Sequence, residues 1–87
     1  MSREYCFNLT VPQDDVDKVE DLLERAGRNY SAMRVSRKPD RLGCARFYLS
    51  FPFSENRPDL TFQKWFAEFQ EDDWELFGPN PGRWGLL

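Results

Sequence analysis

Four carboxylates, Asp14, Asp17, Asp21 and Glu24, recur at spacings i, i+3, i+7 and i+10. On a helix that spacing places them along one face, about 5 Å between successive neighbours. A row of this kind can imitate a phosphate backbone and occupy a basic groove on another protein. A second acid run, Glu71, Asp72 and Asp73, lies far along the chain. Asp14, Asp15 and Asp17, like Glu71, Asp72 and Asp73, could ligate Mg²⁺ or Ca²⁺, but neither group has the loop spacing of a calcium site, so solvated helix ends explain them better. The chain has no histidine, which removes the commonest general base and metal ligand and the Ser-His and Cys-His nucleophile pairs. Its five glycines are scattered and form no phosphate-cradling loop. The two cysteines, Cys6 and Cys44, lack metal-type spacing and read as simple thiols, although they could meet if their strands are neighbours. These features point away from an enzyme, and no cofactor or metal is expected.

Positive charge is gathered elsewhere. The segment Arg25–Arg46 holds seven bases and one acid, Asp14–Glu24 six acids and one lysine, and Glu68–Glu75 five acids and no base. The overall net charge of −3 hides this bipolar pattern. Basic residues with an aromatic among them, here Arg34, Lys38, Arg41, Arg46 and Tyr48, could hold an anionic ligand such as single-stranded nucleic acid. Solvation alone would also account for either charged surface.

The elements that must position these groups follow from periodicity. Tyr5, Phe7, Leu9 and Val11 alternate with Glu4, Cys6, Asn8 and Thr10, which predicts a half-buried strand ended by Pro12. Val16, Val19, Leu22, Leu23 and Ala26 recur at helical spacing, with Asp14 or Asp15 as cap and Gly27 as stop. A second strand is predicted over 30–38, with Met33 and Val35 on one side and Tyr30, Arg34 and Ser36 on the other. A turn at "KPDRLG" leads to a third strand over 44–53, in which Ala45, Phe47, Leu49, Phe51 and Phe53 share a face. Asp59 can cap a second helix with Phe62, Trp65, Phe66 and Phe69 as its buried stripe. Residues 74–77 can form a short fourth strand. Trp74 is hard to place in the core, and Trp84, Leu86 and Leu87 could anchor a Pro- and Gly-rich end.

At 87 residues the chain forms one α+β domain over 1–78, followed by an extended tail over 79–87. Eight Phe, three Trp and three Tyr can fill its core. No apolar run is long enough to span a bilayer and the first residues lack a secretory pattern, so a cytoplasmic protein without membrane contact is expected. The order strand, helix, strand, strand, helix, strand predicts a ferredoxin-like βαββαβ arrangement, a four-stranded antiparallel sheet with both helices on one face. The other face would be open and carry Cys6, Asn8, Tyr30, Arg34, Arg46 and Tyr48. The acids would then lie on the opposite exterior from the bases.

Two stretches resemble the RNA-recognition motif. "YCFNL", Tyr5 to Leu9, is similar to that family's first-strand signature, and in "ARFYLSF", Ala45 to Phe51, the residues Tyr48, Leu49 and Phe51 match the third. The resemblance implies a single-stranded RNA-binding sheet face with Tyr48 as the stacking residue. The chain departs from the pattern at Tyr5, which alternation sends to the core side, at Cys44, where the family opens with Lys or Arg, and at Ala45 and Phe47, which stand at small-residue positions. Size, charge segregation and missing chemistry favour a different expectation. This is a small protein, monomer or homodimer, that binds and inhibits a nucleic-acid-handling protein through Asp14, Asp17, Asp21 and Glu24. A phage anti-defence protein of the anti-CRISPR kind, or a toxin immunity protein, would act in this way.

Overall fold

A computed structural model describes residues 3–30 and 32–83. The elements are β1 (Arg3–Pro12), a 3-10 turn (Gln13–Asp15), α1 (Val16–Asn29), β2 (Arg34–Arg41), β3 (Cys44–Pro52), α2 (Pro58–Ala67) and β4 (Glu75–Arg83). The strands form one antiparallel sheet in the order β2-β3-β1-β4. This is the ferredoxin-like arrangement. Trp84, Leu86 and Leu87 lie outside the described residues.

Alternation decides which side of the sheet is apolar. Tyr5, Phe7, Leu9 and Val11 stand opposite Phe51, Leu49, Phe47 and Ala45. All of these except the half-buried Tyr5 are buried, in one core with Val19, Leu22, Leu23 and Ala26 of α1 and Phe62 and Phe66 of α2. Phe62 is the hub, with its ring centroid 5.3–6.2 Å from those of Phe7, Tyr30, Phe51, Trp65 and Phe66.

The structure corrects several sequence expectations. Helix α1 passes through Gly27 to Asn29, and the Tyr30 amide still donates to the Ala26 carbonyl at 2.8 Å. A glycine inside a helix costs only about 1 kcal/mol, which packing beside it offsets. Tyr30 therefore precedes β2 and packs on Phe51 and Phe62 rather than on the far sheet face. Phe53 lies past β3, exposed, and stacks on Tyr5 at 5.1 Å. Phe69 falls beyond α2 and is partly exposed against Trp65. Trp74 is buried in the core, and its indole donates to Asp15 at 2.8 Å. Asp15 stands at the start of α1 but makes no side-chain capping bond. Asp59 does not cap α2, since Arg57 holds that position; the fully buried Asp59 carboxylate accepts two bonds from the Arg57 guanidinium, at 2.8 and 3.1 Å. Residues 79–83, expected as the start of a tail, pair with β1 as part of β4.

Two backbone positions set the register. The β2–β3 turn is Leu42-Gly43, and both residues have positive φ, 53° and 77°. Positive φ at both central residues is the pattern of the mirror-type turns that match strand twist. Gly78 has φ 128°, and a Cβ there would lie 2.5 Å from the Cys6 carbonyl oxygen. Only glycine lets β4 approach β1 at the register shift between Cys6 and Asn8.

Candidate functional site

The acidic residues come together by folding. Asp17, Asp21 and Glu24 lie on the exposed face of α1, and Asp14 is exposed in the preceding 3-10 turn. Asp21 pairs with Arg25 at 3.6 Å and Glu24 with Arg28 at 3.3 Å, both one helical turn away on the surface. Exposed pairs of this type contribute only about 0.3–0.5 kcal/mol, so both carboxylates remain open to a stronger partner. The loop after α2 then brings in the second acid run. Carboxylate oxygens of Asp15, Glu71 and Asp73 lie within 4.8 Å of one another. Lys18 contacts Glu71 and supplies the local counter-charge; that bond, with the fields of Glu71, Asp15 and Asp73, holds its pKa above the ordinary lysine range. The start of α1 and residues 71–73 thus make one acidic patch, which the sequence shows only as two separate runs.

The basic residues are more dispersed than expected. Arg34, Lys38, Arg46 and Tyr48 do share the sheet face away from the helices, as the register of β2 on β3 requires. Arg37 takes the helix side, where it lies over Phe47 at 5.1 Å and pairs with Asp40 at 2.9 Å and Glu20 of α1 at 3.6 Å. The bond from Arg37, with a further one from Gln13, holds the Asp40 carboxyl below the usual carboxylate range. Arg41 is exposed near the turn, and the Gln13 amide at the start of the acidic segment donates to the Gly43 carbonyl at 3.3 Å. Acids and bases therefore meet along the α1–β2 border and at the turn. They do not occupy wholly opposite exteriors, because a strand that borders a helix must send every second residue toward it.

The second sheet face is not an open platform either. Glu4, Cys6 and Ser50 are buried on it. The Tyr48 hydroxyl lies 2.9 Å from both Glu4 Oε1 and Cys6 Sγ, and the Cys6 thiol lies 3.7 Å from the same carboxylate oxygen. Burial pushes the Tyr48 hydroxyl pKa up, and its bonds to Cys6 and Glu4 add to the rise, so it stays a proton donor. Burial likewise raises the Cys6 thiol. Lys38 donates to Asn8 at 3.0 Å and sits 5.8 Å over the Tyr48 ring; Arg46 donates to the Pro39 carbonyl at 2.9 Å. Cys6 pairs with Ser50 and Cys44 with Pro12, six residues apart along β1, roughly 20 Å in an extended strand. Both cysteines are free thiols and cannot meet.

Sequence reading missed the Glu4–Cys6–Tyr48 cluster and the Arg57–Asp59 pair. Register gives the first once β1 and β3 are known to be neighbours. The second follows from Arg57 lying 3.8 Å over the Tyr5 ring with φ 49°, a backbone state no local pattern predicts. Among the described residues, no helix is long and apolar enough to cross a membrane. No family model, curated protein or solved structure matches this chain.

Proposed function

We propose that this chain is a non-enzymatic binding protein that inhibits a nucleic-acid-handling protein by laying its acidic patch in that protein's basic groove. The observation that supports this reading is the convergence of Asp15 with Glu71 and Asp73, more than fifty residues away, beside Lys18, next to the exposed Asp14 and Asp17 of the same segment. Solvation does not require two acid runs to be neighbours, and their mutual repulsion opposes it. Asp21 and Glu24 extend the patch along α1. Their arginine partners are surface residues that a basic groove can displace at little cost. Phage anti-defence and toxin immunity are settings in which a small blocking protein of this design works.

The RNA-binding alternative would use Arg34, Lys38, Arg41, Arg46 and Tyr48. It has less support, because Tyr48, its one stacking residue, is held within the sheet face by Glu4 and Cys6. The test immobilises the chain and passes over it extract from cells that carry its partner. Wild type should retain a nucleic-acid-binding protein that short duplex DNA displaces. The quadruple reversal Asp14→Lys, Asp17→Lys, Asp21→Lys, Glu24→Lys should keep its circular dichroism and lose that protein. Equal retention by both chains would refute the acidic face, and direct retention of RNA by wild type would favour the alternative.

A further inference from the structure

The two edges of the sheet are built differently. The β4 edge carries Pro79 and Pro81, which have no N–H to offer an added strand. On β2 the stretch Arg34–Lys38 has no proline and pairs in regular register with β3; the irregularity begins only beyond Lys38. Among the described residues its other edge has no neighbour in the sheet. An unprotected edge is a template for strand addition.

Beside that edge runs a groove of about 450 Å³ between α1 and β2, lined by Glu20, Leu23, Glu24, Val35, Arg37 and Phe47. Val35 is 44% exposed, and an apolar β-branched side chain on the helix side of an edge strand offers a contact surface. Arg37 in the same groove is already paired with Glu20 and Asp40, so this side of an added strand meets apolar surface and satisfied charge. The opposite side of β2 presents Arg34, Ser36 and Lys38. A second copy is a poor occupant. Its own β2 would bring Arg34, Arg37, Lys38 and Arg41 against the same four residues, and like charges across a strand pair are destabilising. The basic side chains block self-pairing and admit the opposite charge.

We infer that the free edge of β2 is a binding site for an extended peptide segment with alternating acidic and apolar residues. It adds as a fifth strand, with its apolar residues toward Val35 and its carboxylates toward Arg34 and Lys38. Backbone hydrogen bonds hold the segment, and the period-two pattern selects it. Glu24 lines this groove and also ends the acidic row of α1, but the backbone edge of β2 and its Arg34–Lys38 side lie outside that row, so the inference stands whether or not the row binds a basic groove.

The test uses the full 87-residue chain, labelled with ¹⁵N, and two seven-residue capped peptides, one alternating Glu and Val and one alternating Lys and Val. The Glu/Val peptide should shift the amides of residues 34–38 saturably and weaken as salt rises from about 0.05 to 0.5 M, because its carboxylates meet partly exposed cations. The Lys/Val peptide should leave these amides unmoved. The exposed substitution Arg34→Glu should weaken the acidic peptide about tenfold or more, since like charge then faces like. Val35→Lys should weaken the Glu/Val peptide by placing a charge where its valines sit. The inference is overturned if neither peptide shifts residues 34–38 at millimolar concentration, if both bind equally, or if these amides move with protein concentration alone, which would make a second copy the occupant.

Discussion

The two faces of the sheet solve the burial problem in opposite ways. Toward the helices, Phe7, Leu9, Val11, Ala45, Phe47, Leu49 and Phe51 are buried by shape alone, and any apolar set of similar volume on that side would serve. Away from the helices, Glu4, Cys6 and Ser50 are equally buried but polar, and they are stable only because Tyr48 reaches two of them. The first face tolerates repacking. The second depends on a particular hydroxyl, because a buried polar group left without its partner costs more than the bond contributes. This contrast also bears on function. A face whose tyrosine is spent on internal bonds has little left to offer a nucleobase, whereas the acidic patch is held by surface pairs that a partner can exchange.

The largest effect that would test the comparison is Phe62→Ala. It removes the ring that packs α2 and Tyr30 against Phe7 and Phe51 of the sheet and should cost about 3–5 kcal/mol. At roughly 4–8 °C per kcal/mol for a domain of this size, thermal unfolding should fall by more than 10 °C. A small shift would mean the helix-side core is not centred there. Tyr48→Phe sharpens the contrast on the other face. It conserves ring volume yet strips the hydroxyl from Glu4 and Cys6, and a loss of about 1–3 kcal/mol in a denaturant titration is expected. No loss would show that the cluster is satisfied by solvent and the face is open.

The smallest effect concerns reactivity rather than stability. Under native conditions Cys6 should alkylate about tenfold or more slowly than Cys44, because burial both blocks it and keeps its thiol protonated. Equal rates in the folded protein would remove the distinction, and equal rates in denaturant are the control. The sign of the pH dependence follows. Cys6 holds its proton to higher pH folded than unfolded. Its contribution is therefore full below the unfolded value of about 8.5 and is lost as pH rises through the raised folded value.

How much was legible beforehand varies by element. The alternation in β1 and β3 identified their buried sides without any knowledge of neighbours, and the stripe Val19, Leu22, Leu23, Ala26 did the same for α1. Boundaries were less legible. Gly27 carries the chemistry of a stop, but Tyr30 finds aromatic partners in Phe51 and Phe62 that reward another turn of helix. Trp74 looked surplus because its burial depends on Asp15, fifty-nine positions away, accepting its N–H.

Order of elements, apolar sides and the segregation of charge into runs are properties of short windows, since periods of two and 3.6 residues repeat within a single strand or helix. Contacts between such windows obey no local period. The meeting of Asp15 with Glu71 and Asp73, the closure of Tyr48 over Glu4 and Cys6, and the turning of Arg37 toward Glu20 all depend on strand register and on how helices lie across the sheet. Those are fixed by the packing of the whole chain, and so the tertiary structure alone decided which charges and thiols became neighbours.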